Sequence, residues 1–146
     1  NRKFFDSSNN KNSNICKLIH KYKNDKRVLF DFSDDYSDTY GRLSLMISDL
    51  SGTSFTYSFL TKRPVIFFSP REDLFKKHYK NLNHYKDRKK IGVVINNVKK
   101  INLSIKKLLN NNKKYEKSIS LLKNKIDFLG KSKIKTIEEI KKILTY

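Results

Sequence analysis

The chain has 146 residues, 37% of them hydrophobic and 12% aromatic, which suffices for one globular domain with a sizeable core. It carries 33 basic and 14 acidic residues, a net charge of +19, and most of the excess positive charge lies after residue 75. Cys16 is the only cysteine, which excludes a disulfide framework, and no apolar run approaches the roughly 18 residues of a membrane span.

The positive charge indicates an anionic partner, such as nucleic acid, an anionic lipid surface or a phosphorylated substrate. Residue usage offers a second explanation. Lys far outnumbers Arg, Asn and Ile are abundant, and Ala, Gln and Trp are absent, as expected of an A·T-rich genome. We favour this compositional explanation. The lone cysteine fits a reducing compartment.

The first part of the chain predicts a loop, a helix, a strand and a second helix. Residues 7–14 (SSNNKNSN) are polar and typical of a loop, and residues 15–22 can form a short helix. The apolar run VLFDF at 28–32 predicts a buried strand. Acidic and Ser residues after it offer N-caps for a helix around 36–43. We therefore divide the chain into a leading loop and helix at 1–26, the end of a truncated upstream region, and a domain at 27–146.

Further along, strands alternate with a helix. Residues 45–48 predict a second strand and residues 52–62 a helix. Pro64 fixes the start of a third strand, VIFFS, which Pro70 closes. The run IGVVI at 91–95 is a further strand candidate. Mostly continuous apolar strands alternating with helices predict an α/β fold, a Rossmann-like parallel sheet covered on both faces and closed by a helical C-terminal segment.

Beyond residue 97 the hydrophobic period becomes helical, and Lys fills the remaining faces. Gly130 stands where a helix C-cap is expected. The apolar residues recur at helical spacing: Val98, Ile101, Ile105, Leu108, Leu109, Tyr115, Ile119, Leu122, Ile126, Leu129, Ile137, Ile140 and Leu144.

The stretch LMISDLSGTSFTYSFL contains the main candidate site. Asp49, Ser51, Gly52, Thr53 and Ser54 follow a predicted strand and open a predicted helix, at the sheet edge where ligands bind in such folds. Unpaired N–H groups at the helix start, hydroxyl groups and a glycine together can cradle a phosphate without a lysine. The alternative is plain capping, with Ser51 as N-cap and Asp49 on neighbouring amides. Chemistry alone favours capping.

The stretch LMISDLSGTSFTYSFLTKRPVIFFS (45–69) resembles the C-terminal half of CDP-glycerol glycerophosphotransferases, the teichoic-acid polymerase family. More broadly, it is similar to the donor-binding domain of GT-B glycosyltransferases. In that family a strand ends in Asp-x-Ser-Ser or Asp-x-Ser-Gly, a helix follows, and a Lys/Arg-Pro pair opens the next strand. Asp49, Ser51, Gly52 and the pair Arg63-Pro64 match this pattern. The likeness spans most of 27–145, but only 45–69 is specific.

The resemblance implies a transferase that moves glycerol phosphate, or a related polyol phosphate or sugar. The donor would be a nucleotide-diphosphate compound such as CDP-glycerol, and the acceptor a cell-surface polymer or its lipid-linked precursor. The Ser-Gly-Thr turn would hold the donor diphosphate and stabilise the charge that builds on the leaving nucleotide. No metal or cofactor is implied. The expected location is cytoplasmic, peripheral on the inner face of the membrane.

The chain departs from the family pattern in its catalytic residues. The family's His residues lie in an HGT-like motif of the N-terminal domain and in an Arg-Pro-His-Pro motif just upstream of this region, and neither is present. We therefore expect the chain to be the donor-binding half of an enzyme, with its partner domain missing and no activity alone. The catalytic residues stay unknown.

For the remaining polar residues, we consider a structural role before a functional one. We expect His20, His78 and His84 to be solvated, and Arg42 to cover the sheet. Asp31, at the end of VLFDF, would contact the donor's base or ribose, or else cap the strand end. The remaining acids, which could suggest a metal site, are better explained as helix N-terminal residues: Asp34, Asp35 and Asp38.

Two functions without catalysis are alternatives. The basic helices would allow a nucleic-acid-binding module. However, the sequence has no helix-turn-helix, zinc or RNA-binding aromatic signature, so we do not expect nucleic acid as a partner. Helices around 112–129 and 135–145 would allow attachment to an anionic membrane surface. These helices contain no Trp and only one Phe, Phe128, so that attraction would be mainly electrostatic.

Overall fold

Three short strands form one parallel sheet in the order β1-β2-β3: β1 (Met46–Ser48), β2 (Val65–Phe68) and β3 (Gly92–Ile95). The computed structural model describes residues 14–126 and 131–144. All three strands were predicted from the sequence within one residue at either end. The α/β class with a parallel sheet flanked by helices is confirmed, because adjacent strands run parallel and helices connect them.

Within the described ranges there are eight α-helices, and none has the length and apolar character needed to cross a bilayer. A 3₁₀-helix (Val98–Lys100) precedes the sixth α-helix. In chain order the α-helices are α1 (Asn14–Tyr22), α2 (Ser37–Arg42), α3 (Thr53–Thr61), α4 (Glu72–Tyr79), α5 (Asn83–Ile91), α6 (Ile101–Asn110), α7 (Asn112–Lys123) and α8 (Ser132–Leu144).

The chain divides into two compact units, Asn1–Arg42 and Leu43–Tyr146. The first contains α1 and α2, both predicted. This boundary follows residue 42, whereas the sequence placed one after residue 26, and the predicted domain division stays a prediction. The loop predicted at 7–14 lies outside the described residues except for its last position, which begins α1.

The predicted strand at 28–32 is wrong, because this segment has no strand structure. The backbone of this segment forms hydrogen bonds to residues nearby in the chain. The Val28 amide donates to the Asp25 carbonyl at 2.9 Å, and the Ser33 amide donates to the Asp31 carboxylate at 2.9 Å. Leu29 is 83% exposed. Apolar composition alone was therefore misleading, since a strand also needs a neighbouring strand to pair its backbone groups.

Side chains from both faces of β2 form the core. Ile66 packs with Ile95 and Leu108, the latter from α6, while the buried Phe67 lies 6.2 Å from the Phe55 ring of α3, between ring centroids. Successive strand residues point to opposite faces, so α6 covers one face and α3 the other. The predicted coverage on both faces is confirmed.

Helices α4 and α5 were missed by the sequence analysis. The stretch at 70–90 is dominated by charged and polar residues, so it lacks the apolar stripe that predicts a surface helix. The chain returns from α5 into β3 at Gly92. A Cβ at this residue would overlap the carbonyl group of Val65 on β2, so the two backbones approach as closely as they do only because Gly92 has no side chain.

Candidate functional site

The Asp-Leu-Ser-Gly-Thr turn lies at the carboxyl edge of the sheet, as predicted. Strand β1 ends at Ser48, and α3 begins at Thr53. Because the strands are parallel, the segments that follow β2 and β3 leave the sheet at the same edge. The amino end of α3, with the positive end of its helix dipole, therefore stands at the edge where α/β folds bind ligands.

Local hydrogen bonds order the turn. The Asp49 carboxylate accepts from the Ser51 amide at 2.8 Å, and the Ser51 and Thr53 hydroxyl oxygens lie 2.9 Å apart. The Thr53 amide is 3.4 Å from the Ser51 hydroxyl oxygen, a long capping bond. The capping role that the sequence assigned to Asp49 is thus present. Gly52, and not Ser51, stands directly before the first residue of α3, and Ser51 contributes only the long bond to the Thr53 amide. Asp49, Gly52 and Thr53 are exposed, so a ligand can reach them.

Ser54 differs from the other hydroxyl residues of the turn because its side chain is fully buried. Its hydroxyl donates to the Ser51 carbonyl at 2.6 Å. This bond ties the first turn of α3 to the residue that caps it. The structure therefore gives Ser54 a supporting role, and its predicted contact with a donor stays a prediction.

Gly52 has no structural need to be glycine. Its φ of −60° and ψ of −26° are ordinary helical values that any residue adopts. A Cβ built there would meet no atom within 4 Å. Among the described residues, its amide has no hydrogen-bond acceptor. A bare backbone with a free N–H and open space above it can accept a close ligand oxygen.

Arg63 and Pro64, the pair that opens β2, hold the other end of α3. The Arg63 guanidinium donates to the carbonyl of Leu43, and Ser58 donates to the Arg63 carbonyl at 2.9 Å. Pro64 is buried at the start of the strand. The pair therefore fixes where α3 ends and β2 begins, which supports the geometry of the turn from behind.

Asp31 lies in the coil between α1 and α2, so the strand-end position predicted for it is wrong. Its carboxylate accepts from the Ser33 hydroxyl at 2.5 Å, from the Ser33 amide and from the Thr39 hydroxyl. The bond from the Ser33 hydroxyl has the largest effect, and together the three bonds lower the pKa of Asp31 to about 2. It orders its own loop, and the predicted contact with a base or ribose stays a prediction.

The other acids near α2 behave as helix-start residues. Hydrogen bonds from the Ser37 side chain and then from the Ser37 amide, at 2.8 Å, lower the pKa of Asp35, and Asp38 lies in the first turn of the helix. Within 14–126 and 131–144, no cluster of His, Cys, Asp and Glu could hold a metal ion.

A buried ion pair at the end of β2 was missed. The Arg88 guanidinium donates to the Glu72 carboxylate at 2.9 Å, and only 1% of the Arg88 side chain is exposed. The Tyr85 hydroxyl donates to the same carboxylate oxygen at 2.6 Å. A signal existed in the sequence: in a chain where Lys far outnumbers Arg, each Arg is a candidate for a site that needs a planar guanidinium.

The solvated state predicted for His84 is wrong. Its ring lies 4.5 Å from the Phe55 ring, between centroids, and its Nε2 atom is buried without a hydrogen-bond partner among the described residues. Burial, reinforced by the charge of Arg88 and opposed by Asp87, lowers the pKa of His84. His20 and His78 are exposed, as predicted.

Comparison with known proteins identifies the family of this chain. Searches of curated proteins and of solved structures give no significant match. The family model described as CDP-glycerol:poly(glycerophosphate) glycerophosphotransferase matches residues 8–129, most of the chain and all of the sheet and turn. The chain therefore belongs to the CDP-glycerol:poly(glycerophosphate) glycerophosphotransferase family, a family of transferases.

Proposed function

We propose that this chain is the donor-binding half of a transferase that moves glycerol phosphate, or a related polyol phosphate or sugar, to a cell-surface polymer. The donor is a nucleotide-diphosphate compound such as CDP-glycerol. Family membership supports glycerophosphate transfer. The observation that carries the assignment of donor binding is the Ser51-Gly52-Thr53 turn at the amino end of α3, where Gly52 and Thr53 are exposed and Ser51 is half-buried.

The turn supplies hydrogen-bond donors and a favourable field for a diphosphate. The Gly52 amide and the Ser51 and Thr53 hydroxyl groups lie within one turn of chain, and the dipole of a nine-residue helix favours an anion there. The Asp49 carboxylate would repel a phosphate, but it is turned to the Ser51 amide. We infer that Asp49 orders the turn and does not contact the donor.

The strongest support for a ligand at this position is that residue 52 is a glycine. Neither its dihedral angles nor its neighbours require a glycine. A phosphate oxygen bonded to the Gly52 amide would, however, approach the space that a methyl group fills. Ligand approach therefore explains a glycine that the fold itself does not need.

The chemistry assigned to the turn is stabilisation of the leaving group. Cleavage of the donor builds negative charge on the departing nucleotide, and fixed N–H and O–H donors stabilise that charge without reorganising. The proposal assigns donor binding to these residues and assigns proton transfer to none of them.

Calorimetric titration of the chain with CDP-glycerol and with UDP-sugars, at two salt concentrations, tests the proposal. The main variant is Gly52→Ala, which should fold at least as stably as the unsubstituted chain, since Ala fits helical dihedral angles. Gly41→Ala is the matched control, because a Cβ at Gly41 also meets no atom within 4 Å. A Ser51→Ala, Thr53→Ala double variant removes the hydroxyl groups.

Saturable binding of one donor, lost in Gly52→Ala and weakened in the double variant but kept in Gly41→Ala, would support the proposal and identify the base. Undiminished binding in Gly52→Ala, or no binding of any donor by a folded chain and by the full-length parent, would overturn it. In either case the turn would only cap α3.

The charge and exposure of the last helix favour a second role, binding to an anionic membrane surface, which is compatible with donor binding. Helix α8 carries four Lys and two Glu, and its large apolar side chains are exposed, among them Ile134 at 58% and Ile143 at 73%. An exposed apolar face with an excess of Lys suits peripheral binding to anionic lipid. Co-sedimentation with phosphatidylglycerol vesicles, abolished by salt and weakened in Ile137→Ser, would support this role. Equal binding to neutral vesicles would contradict it.

A further inference from the structure

We infer that a lysine-rich surface between α5 and α7 binds the polymer acceptor as a linear chain of phosphodiester groups. The inference rests on the proposed function, because a transferase that adds glycerol phosphate to a polymer places one negative charge on each added unit. The turn at the amino end of α3 is assigned to the donor, so the older units of the polymer need a surface of their own. We call this surface the basic seam and define it by Lys86, Lys90, Lys114 and Lys117.

A hydrogen bond and a shared cavity show how the two helices meet. The Ser118 hydroxyl of α7 donates to the Lys90 carbonyl at the end of α5, at 2.8 Å. At the other end of the contact, Asn83 at the start of α5 and Leu122 near the end of α7 line the same cavity. The helices therefore run antiparallel, and one continuous line of contact separates their exposed faces.

The lysines of the basic seam border this line of contact from both sides. Lys86 lies one helical turn before Lys90, and Lys114 lies one turn before Ser118, so each pair shares a face of its helix. Lys117 is the direct neighbour of Ser118. All four lysines are exposed. Their ammonium groups can therefore contact successive phosphates of one extended chain.

The charge of the two helices is strongly positive, and their acidic side chains are already paired. Together α5 and α7 contain eight Lys and Arg residues but only two acidic residues. Asp87 pairs with Lys90 at 2.6 Å, and Glu116 pairs with Lys62, beyond the end of α3, at 3.8 Å. An A·T-rich genome accounts for Lys in place of Arg, but it does not account for so few acids on these helices. A polyanion is the complementary partner.

The chemistry of the basic seam suits a polyanion without bases. Both tyrosines of the two helices are half-buried. The Tyr85 hydroxyl donates to Glu72, and Tyr115 packs against the hydrophobic core. Proteins that bind single-stranded nucleic acid stack its bases on aromatic rings, whereas Lys binds a phosphate as a point charge. A glycerol phosphate polymer needs only the point charges.

Fluorescence anisotropy of a labelled glycerol phosphate decamer, without any nucleotide donor and at several salt concentrations, tests the basic seam. The main variant combines Lys86→Gln with Lys114→Gln and so removes one ammonium group from each helix. The matched control combines Lys106→Gln with Lys107→Gln, which removes two exposed ammonium groups from α6. We expect saturable binding that the main variant weakens about fivefold, with a flatter salt dependence, because two phosphate contacts are lost. The control should change neither.

Equal weakening by the two double variants would show that only net charge matters and would overturn the inference. Absence of decamer binding by a chain that circular dichroism shows to be folded would overturn it as well. An oligothymidylate with the same number of phosphates should bind no more tightly than the decamer. Tighter binding of the oligothymidylate, lost in the main variant, would identify nucleic acid as the partner instead.

The donor site and the basic seam can fail separately in these experiments. Gly52→Ala should bind the decamer normally, since Gly52 lies in the turn before α3 and not on α5 or α7. Failure of the proposed donor site would leave decamer binding intact and remove only the titration with CDP-glycerol. Failure of the basic seam would leave the titration with CDP-glycerol intact.

Discussion

The Arg88 guanidinium on α5 is held by the Glu72 carboxylate on α4 at 2.9 Å, with 1% of the Arg88 side chain and 27% of the Glu72 side chain exposed. The guanidinium also lies over the Tyr85 ring, 4.1 Å from its centroid, and near the Phe67 ring of β2. Burial tends to raise the pKa of Glu72, but the hydrogen bonds from Arg88 and Tyr85 outweigh it and lower the pKa. This contact joins the two helices that the sequence did not predict.

Arg88→Met should destabilise the chain by about 3 kcal/mol, because it leaves the Glu72 carboxylate partly buried and unpaired. Urea unfolding at pH 7 measures the loss. Glu72→Met together with Arg88→Met should recover much of it, since no charge is then left unpaired. Lys89→Met is the exposed control. A loss in Arg88→Met no larger than in the control would show that the pair does not stabilise the fold.

The same pair should give the chain an acid-sensitive component of stability. Because the pKa of Glu72 is lowered on folding, its contribution is complete above about pH 4.3, the ordinary pKa of Glu, and falls as acid protonates the folded carboxylate. The difference in unfolding free energy between the unsubstituted chain and Glu72→Gln should therefore shrink below that pH. A pH-independent difference would contradict this assignment.

Asp31 should titrate near pH 2, well below an ordinary carboxyl. The Ser33 and Thr39 bonds stabilise the charged form, so their contribution is complete above about pH 3.9 and is lost as the pH falls through the folded pKa. Carbon-detected NMR of the Asp31 carboxyl measures this directly. Ser33→Ala should raise the pKa, whereas Ser44→Ala, outside this loop, should not. A midpoint near pH 4 would show that the loop bonds do not persist in solution.

Gly92→Ala should destabilise the chain by about 3 kcal/mol, at the upper end of the usual cost of overpacking. The added Cβ would overlap the Val65 carbonyl, which is backbone and cannot turn aside, so β2 and β3 must separate. The φ of 179° is extended and adds no strain. Thermal unfolding measures the effect, with Gly41→Ala as control. Equal melting temperatures for the two variants would mean that β3 shifts freely on β2.

Ser54→Ala should destabilise the chain by about 1 kcal/mol, the usual net value of one hydrogen bond. It removes the buried hydroxyl that donates to the Ser51 carbonyl. Because the side chain does not face solvent, we expect donor affinity to fall only as far as the turn loosens. Thr56→Ala, exposed on the same helix, is the control. Loss of donor binding without loss of stability would instead place Ser54 in direct contact with the ligand.

The sequence determined the three strands of the sheet, the helix after Asp49-Leu-Ser-Gly-Thr and most of the apolar faces of α6 and α7, because each depends on local periodicity or turn chemistry. Leu108 and Ile119 are buried on those faces, whereas Val98 and Leu109, predicted on the same face as Leu108, are exposed. The order of three parallel strands then brought the turn to the ligand edge, as the alternation of strands and helices predicted. The match of residues 45–69 to the family pattern also needed no coordinates, and the family comparison agrees with it.

Tertiary structure decided what local patterns do not encode. Residues 28–32 look like a strand but bond within their own loop, since strand formation depends on a neighbouring edge. Helices α4 and α5 have little apolar surface of their own, and a buried ion pair between Glu72 and Arg88 joins them. His84 reads as a solvated residue in a Lys-rich stretch, yet packing against Phe55 buries its nitrogen. Burial and pairing arise between residues far apart in the chain, so only the folded structure fixes them.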